Sequence, residues 1–298
     1  MKPLKAKPML LEEMVVQVAD ELVGADLFFG HGTDNAFDEA AWLALEAGGF
    51  DVGDPEPPWE SVLDKRQIEN IRALLEQRLT TRQPLAYLIN RAWFAGHEFF
   101  IDERAIVPRS HIGEWIPDRF EPWLPAGEVK SMLDLCTGSG CIAVALALAF
   151  PEAQVDASDL STAALEVAAI NARHHGVTER VRLVEGDLFS ALPDRRYDLI
   201  VCNPPYVSDV LMRALPDEYR FEPELAFAGG DQGLDFIDRL LREASHHLNP
   251  NGMLIVEAGS AQPAVENAYP DLPFIWLMSE SEEAVVFALT AAELARIA

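Results

Sequence analysis

The stretch Met132-Leu-Asp-Leu-Cys-Thr-Gly-Ser-Gly-Cys141 is followed by an apolar run over residues 142–150. Its first four residues are typical of a short buried strand, and the apolar run is typical of a helix. A strand, a glycine turn and a helix in this order bring backbone N–H groups close to a bound nucleotide. The stretch therefore predicts an α/β fold with a nucleotide site at the turn, although an isolated Gly-Ser-Gly is more often only a flexible turn.

Polar residues follow three further strands that the sequence predicts downstream. Asp159 lies nineteen residues beyond Gly140, where an acid after the next strand accepts both hydroxyls of a ribose. Asp187 is placed to accept a hydrogen bond from an adenine amine, and Asn203 follows the last of these strands. Ligands of open α/β sheets bind outside the carboxyl ends of the strands, so these side chains predict one pocket. The predicted strands are residues 153–157, 181–184 and 199–202.

Asp134, which precedes the glycine turn, helps to indicate which kind of nucleotide binds there. Gly138-x-Gly140-x-x-Ala143 also fits the dinucleotide fingerprint, so a nicotinamide enzyme is one interpretation. Asp134 argues against it, because from that place it can reach the amino end of a cationic amino-acid cofactor. With the downstream side chains, Asp134 predicts a pocket for an adenosine that carries an amino acid, next to a planar amide. Each aspartate taken alone is also explained as a helix cap or a solvated turn residue.

The tetrapeptide Asn203-Pro204-Pro205-Tyr206 begins where the strand over residues 199–202 ends. Asn203 offers a carbonyl acceptor and an amide donor. The two prolines fix φ and remove two N–H donors, so the loop is stiff and its carbonyls are free to accept. Tyr206 offers a flat aromatic face. These features predict a slot for an NH₂ group on a planar carbon, either a carboxamide or the exocyclic amine of a base; the plain alternative is a proline-stiffened turn.

The order of these residues resembles that of class I S-adenosylmethionine-dependent methyltransferases, and more narrowly that of the N(5)-glutamine protein methyltransferases of the HemK/Prm group. The resemblance implies a Rossmann-like, seven-stranded, mostly parallel sheet whose final strand is antiparallel, with S-adenosylmethionine as the cofactor. One departure is Cys136, which occupies the place of the first glycine in the family's loop. The residues that the motifs assign to cofactor binding are Asp134, Thr137, Gly138, Gly140, Asp159, Asp187 and Asn203.

The resemblance implies transfer of a methyl group to an amide nitrogen, and the tetrapeptide Asn203–Tyr206 can assist this reaction. Asn203 and the carbonyl of Pro204 would accept the two amide hydrogens, and no His or Cys nucleophile is needed. We therefore assign catalysis to Asn203, Pro204 and Tyr206, and contact with the substrate to Asn203, Pro205 and Tyr206. The same tetrapeptide occurs in adenine-specific nucleic-acid methyltransferases, which remain an alternative. A non-catalytic ribosome-assembly factor is another.

Two other segments resemble the PrmB branch of the group. They are Phe28-Phe-Gly-His-Gly-Thr-Asp-Asn35 and Val107-Pro-Arg-Ser110, where release-factor methyltransferases usually have Pro-Arg-Pro-Glu-Thr-Glu. This resemblance implies methylation of a glutamine in large-subunit ribosomal protein L-three, with a release-factor methyltransferase as the alternative. Residues 222–230 resemble a family segment that borders the active site, whereas Glu257, after another predicted strand, is given no role.

Composition limits the partners. The chain has 298 residues, 49% of them hydrophobic, and a formal net charge of −26. A polyanion is repelled by phosphate backbones, which argues against direct nucleic-acid recognition, and it attracts a basic protein such as a ribosomal protein. Solubility alone also explains an acidic composition.

The sequence also bears on location and metal binding. It has no run of about eighteen apolar residues that would predict a membrane span, and residues 1–10 lack the apolar region of a secretory signal. Cys136, Cys141 and Cys202 form no Cys-x-x-Cys pair, which favours a reduced cytoplasm with buried free thiols. The histidine spacing suggests no ligand set, so we predict no metal.

We predict three parts: a helical domain over residues 1–90, a β-hairpin linker over residues 91–110, and an S-adenosylmethionine-binding catalytic domain over residues 111–298. The resemblance implies that the helical domain recognises the protein substrate. Apolar periodicity predicts helices over residues 11–26, 37–47, 59–79 and 234–248. The hairpin is predicted over residues 93–107, and the last strands over residues 253–257, 274–278 and 284–289.

Overall fold

The computed structural model describes residues 7–124, 129–279 and 284–297. Most of residues 1–10, for which we predicted no secretory signal, lies outside these ranges. The chain forms two compact units. The first ends at Asn90 and also includes Pro216–Phe221, and the second contains Arg91–Leu215 and the chain from Glu222 onward. The predicted division did not include the return of Pro216–Phe221 to the first unit.

The first unit is helical. Its helices are α1 (Leu11–Gly24), α2 (Ala36–Gly48), α3 (Lys65–Thr81) and α4 (Leu85–Ile89). The predicted start of the third helix at residue 59 is wrong, because Asp64 caps α3. The Asp64 carboxylate accepts from the Gln67 N–H at 2.8 Å, and the Gln67 side chain accepts from the Asp64 N–H at 3.0 Å.

A buried ion pair and a half-buried one fix the loop between α1 and α2. Arg78 donates to Glu39 at 2.7 Å and to the Phe28 carbonyl at 3.3 Å. Glu218 accepts from the Phe28 N–H at 3.2 Å and from Arg82 at 2.6 Å. Because Glu218 belongs to Pro216–Phe221, these bonds explain why that segment packs with the first unit.

A short hairpin opens the second unit. Strands β1 (Ala92–Phe94) and β2 (His97–Phe99) pair antiparallel, with positive φ at Ala95 and Gly96 in the turn. The predicted hairpin was too long. Beyond Phe99 the Phe100 N–H donates to the Asn171 side chain at 2.8 Å, and the Phe100 carbonyl accepts from it at 3.0 Å. These backbone groups are thus satisfied by a side chain rather than by a partner strand.

Seven strands form the central sheet in the order β5-β4-β3-β6-β7-β9-β8. They are β3 (Ser131–Leu135), β4 (Gln154–Asp159), β5 (Val181–Glu185), β6 (Tyr197–Cys202), β7 (Leu248–Glu257), β8 (Ile275–Leu277) and β9 (Val286–Thr290). The pairs from β5 to β7 are parallel, and β9 is antiparallel to both neighbours. The predicted sheet is confirmed, and its order reverses between β3 and β6.

Helices cover both faces of this sheet. The helices of the second unit are α5 (Cys141–Ala149), α6 (Thr162–His174), α7 (Asp209–Met212), α8 (Asp235–His247), α9 (Gln262–Ala268) and α10 (Ala291–Leu294), of which α7 buries no residue. Along β6, Leu199 and Val201 belong to one apolar core, whereas Ile200 and Cys202 belong to the other. Parallel strands buried on both faces read as continuous apolar runs, which is why the sequence predicted them.

The start of α5 packs directly against α6 at Gly140. The φ of Gly140 is +77°, and a Cβ there would lie 2.8 Å from the Ala168 Cβ and 3.1 Å from the Ala168 Cα. Gly176 has a similar φ of +66° with open space around it.

Gly140→Ala is therefore expected to destabilise the protein more than Gly176→Ala. The left-handed conformation costs either alanine about 1–2 kcal/mol, and overpacking adds about 1–3 kcal/mol at residue 140 alone. Urea unfolding of the two variants measures the difference. Equal losses would contradict the close approach of the two helices.

Candidate active site

The predicted site residues follow neighbouring strands. Leu135 of β3 is in register with Ser158 of β4 on one side and with Cys202 of β6 on the other. The loops after these three strands therefore leave the sheet side by side at its carboxyl edge. This is the place where the strand order reverses and where ligands of open α/β sheets bind.

The glycine turn after β3 is tied to the end of β4. The Thr137 N–H donates to the Ser158 carbonyl at 3.0 Å, and the Gly138 N–H donates to the Asp159 carboxylate at 2.8 Å. The other Asp159 oxygen accepts from the Ser161 N–H at 2.8 Å. Burial raises the pKa of Asp159. Each carboxylate oxygen can accept a further bond, so Asp159 keeps the acceptors that the predicted ribose contact requires.

Asp134, near the end of β3, also holds the glycine turn in place. It is fully buried, and one of its oxygens accepts from the Thr137 hydroxyl at 2.5 Å and from the Ala143 N–H at 3.0 Å. In the described ranges its other oxygen, Oδ1, is buried without a hydrogen-bond partner. Burial raises the pKa of Asp134 to about 7. The carboxyl thus connects β3, the turn and α5, and it keeps one acceptor for a further donor.

Asp187 lies in a different environment. Its side chain is 45% exposed, and it accepts from Arg239 of α8 at 2.9 Å. An adenine amine at this carboxylate would have to share it with the guanidinium of Arg239. No local sequence pattern indicates this pair, because the two residues are 52 positions apart in the chain.

The cysteines differ from one another in burial. Cys141 and Cys202 are buried as predicted, but Cys136 is partly exposed, so the prediction of three buried thiols is wrong for this residue. Cys136 lies in the turn with φ at +57°, a conformation that favours the glycine usual in the family. Burial raises the pKa of Cys141 to about 12 and also raises that of Cys202, which keeps both as thiols.

The tetrapeptide after β6 presents one open polar side chain. Pro204 and Pro205 are buried, and Asn203 and Tyr206 are partly exposed. In the part of the chain that the structure describes, the Asn203 side-chain amide has no hydrogen-bond partner. The Tyr206 hydroxyl donates to Glu257 at 2.9 Å. The Asn203 amide is therefore available to a ligand, and it lies beside the Tyr206 ring, whose hydroxyl is bonded to Glu257.

The segment that was predicted to border the site lies against this tetrapeptide. The Val207 N–H donates to the Phe227 carbonyl at 2.8 Å, and the Gly229 N–H donates to the Val207 carbonyl at 2.9 Å. A Cβ at Gly229 would lie 2.8 Å from the Tyr206 Cα and 2.9 Å from the Pro205 carbonyl oxygen. Only glycine permits this approach of the two backbones.

Sequence reasoning missed the roles of two buried glutamates. Glu222 accepts from the Val107 N–H at 2.9 Å and from both terminal nitrogens of Arg109 at 2.7 Å. Glu257 accepts from the Ser110 hydroxyl at 2.7 Å as well as from Tyr206. The sequence feature that could have indicated Glu257 is its position at the end of an apolar strand. For Glu222 it is the position within the segment 222–230 that resembles the family.

The described residues contain neither a metal-binding cluster nor a membrane-spanning helix. Within residues 7–124, 129–279 and 284–297, no three His, Cys, Asp or Glu side chains are arranged to hold a metal ion. The same ranges contain no helix with the length and apolar character needed to cross a membrane.

Comparisons with known proteins agree with this geometry. The family model "Methyltransferase small domain" matches residues 121–214. The ribosomal protein uL3 glutamine methyltransferase of Burkholderia pseudomallei is 44% identical over 296 residues, which cover 97% of this chain and 96% of the relative. The protein of the same name from Bradyrhizobium diazoefficiens is 47% identical over 277 residues, which cover 91% and 87% of the two chains.

A solved structure shows the same fold at low identity. The hMettl16 catalytic domain in complex with MAT2A 3'UTR hairpin 6 is 13% identical, with a TM-score of 0.50 over 74% of this chain and 81% of that chain. The sheet order, the glycine turn and this likeness define a class I, Rossmann-like methyltransferase fold. At 44–47% identity over nearly the whole chain, the protein belongs to the family of ribosomal protein uL3 glutamine methyltransferases. The resemblance found in the sequence is confirmed.

The buried Asp134 predicts a pH dependence of stability. Its folded-state pKa of about 7 lies above the ordinary 3.8, so the unfolded chain releases this proton first as pH rises. The stability that Asp134 contributes is therefore greatest at low pH and falls as pH rises towards 7.

Asp134→Asn removes this titration while its amide oxygen can still accept from Thr137 and Ala143. Urea unfolding of both proteins between about pH 5.5 and pH 8 is the measurement. The stability of the wild-type protein relative to the variant should fall with rising pH. A difference that is constant with pH would contradict a raised pKa at Asp134.

Proposed function

We propose that this protein transfers a methyl group from S-adenosylmethionine to the side-chain amide nitrogen of a glutamine in ribosomal protein uL3. Identity with relatives of that name over nearly the full chain supports the proposal. The observation that carries it is the open Asn203 amide at the carboxyl end of β6, next to Tyr206.

The residues around the glycine turn fit the cofactor. S-adenosylmethionine supplies an electrophilic methyl group on a sulfonium centre. The buried Oδ1 of Asp134 lacks a partner among the described residues and suits a cationic donor such as the cofactor's amino group. Gly138 leaves open space, since a Cβ there would meet only Ile106 at 3.7 Å. We assign cofactor binding to this turn from Thr137 to Gly140, with Asp159 and Asp187 at the next strand ends and Asn203 beside them.

The chain's own contribution to the reaction is positioning. An amide nitrogen is a weak nucleophile because its lone pair is delocalised. The Asn203 side chain and the Pro204 carbonyl would accept its two hydrogens and favour a partly pyramidal nitrogen. Oriented reactants can gain roughly 7–11 kcal/mol in favourable cases. Pro205 and Tyr206 would line the substrate amide, and the proton released after methylation would pass to water.

The protein partner is the second part of the proposal. A net charge of −26 favours a basic partner over a nucleic acid, and we infer that uL3 is that partner. We assign substrate recognition to the helical domain over residues 1–90, and we propose that the reaction takes place in the cytoplasm.

The proposed substrate is tested by transfer of labelled methyl from S-adenosylmethionine to purified uL3, followed by peptide mass mapping. The expected result is label on one glutamine of uL3 and none on a release factor offered as competitor. Label on the release factor alone would contradict the uL3 assignment. Label on DNA or RNA would instead favour the adenine-specific alternative.

Asn203→Ala should lower turnover while cofactor affinity stays within about twofold. Loss of one preorganised hydrogen-bonding group commonly costs about 100-fold or more in turnover. Turnover is measured by label transfer and affinity by titration with S-adenosylmethionine. Asn249→Ala is the matched control, because Asn249 bonds to Asp198 at the opposite ends of the strands and should leave turnover unchanged. Full activity of Asn203→Ala would refute the proposed role of the amide.

A further inference from the structure

Three donors converge on the carboxylate of Glu257. The Tyr206 hydroxyl donates to one oxygen at 2.9 Å. The Ser110 hydroxyl and the His111 N–H donate to the other at 2.7 and 2.9 Å. Glu257 is the last residue of β7 and is only 3% exposed. A carboxylate is acceptor-only and can take all three bonds at once.

The end of β7 fixes the Tyr206 ring in two ways. Glu257 holds its hydroxyl, and Gly259 lies against its edge. A Cβ at Gly259 would be 2.2 Å from the Tyr206 Cε2 and 2.4 Å from its Cζ, so the ring occupies the space that a side chain would fill. The ring follows directly on Pro205, which is buried. The orientation of the Tyr206 ring therefore sets the position of the aromatic wall beside Asn203.

Glu257 also connects the tetrapeptide to the segment Val107-Pro-Arg-Ser110. That segment is held a second time, because Glu222 binds the Val107 N–H and the guanidinium of Arg109. Arg109 further lies over the Phe227 ring at 5.6 Å. Loss of Glu257 would thus leave the segment tied through Glu222, and the principal loss would fall on Tyr206.

We propose that Glu257 is a positioning residue of the methyl-transfer site. It sets the orientation of the Tyr206 ring beside Asn203 and couples that ring to Ser110. The inference rests on the proposed function, because Tyr206 is assigned there to the substrate amide. The hydrogen bonds of Glu257 are to Tyr206, Ser110 and His111, so its loss should lower turnover with little change in cofactor affinity.

The orientation of the ring can be observed without any activity. Five tyrosines labelled as 3-fluorotyrosine give five ¹⁹F resonances, and the one missing in Tyr206→Phe is that of Tyr206. In Glu257→Ala this resonance should shift and broaden, because the ring loses its fixed hydroxyl. In Glu257→Gln it should stay sharp, since the amide oxygen can accept from Ser110 and His111 while its NH₂ donates to Tyr206. An unchanged resonance in Glu257→Ala would overturn the proposal.

Turnover with uL3 gives the second readout. Glu257→Ala and Tyr206→Phe should each lower turnover by about tenfold to a hundredfold, as small misplacements near a reacting group do. The double variant should be no slower than the slower single variant, because both changes break the same Tyr206–Glu257 hydrogen bond. Glu257→Gln should restore most of the turnover.

The two proposals fail in different ways. Multiplying losses in the double variant, with cofactor affinity intact, would show that Glu257 does not act through Tyr206. Failure of the wild-type protein to label uL3 would contradict the proposed substrate, whereas the ¹⁹F comparison would still decide whether Glu257 fixes the ring. Loss of cofactor affinity in Glu257→Ala would also contradict a role confined to positioning.

Discussion

The structure depends on a mostly parallel sheet that packs against an apolar core on each face. Apolar side chains of β6 alternate between two cores, so the strands themselves leave no room for chemistry on either face. The polar residues of the candidate site lie at or near the carboxyl ends of their strands, and the reversal of order between β3 and β6 opens this edge to a ligand. The glycine turn and the Asn203 tetrapeptide lie side by side because of this topology.

Carboxyl groups that accept several hydrogen bonds then hold the loops of that edge in place. Asp134 and Asp159 accept from backbone N–H groups of the turn and of α5, whereas Glu257 and Glu222 accept from the loops that flank the tetrapeptide. Each is an acceptor with several lone pairs, and each satisfies donors that would otherwise be costly to bury. Two polar groups at this edge have no hydrogen-bond partner among the described residues, the Asn203 amide and the Oδ1 of Asp134, and we propose that both serve a ligand.

The sequence predicted what local pattern determines. Apolar runs located the strands, and the spacing of Asp134, Asp159 and Asn203 located the loops of the site. The wrong boundaries have specific causes: the Asp64 cap starts α3 late, and Asn171 ends the hairpin at Phe99. The partners of Glu222 and Glu257 lie between 51 and 147 residues away in the chain, so no local pattern could show which donors they bind.

The central claim is that the slot beside Asn203 orients an amide nitrogen for methylation. The most direct measurement uses uL3 with ¹⁵N in its glutamine side chains and S-adenosylmethionine with a ¹³C methyl group. A one-bond ¹³C–¹⁵N coupling in the product spectrum is the result that the account predicts. A methyl carbon in uL3 without this coupling, as on a lysine amine or a carboxylate oxygen, would contradict it.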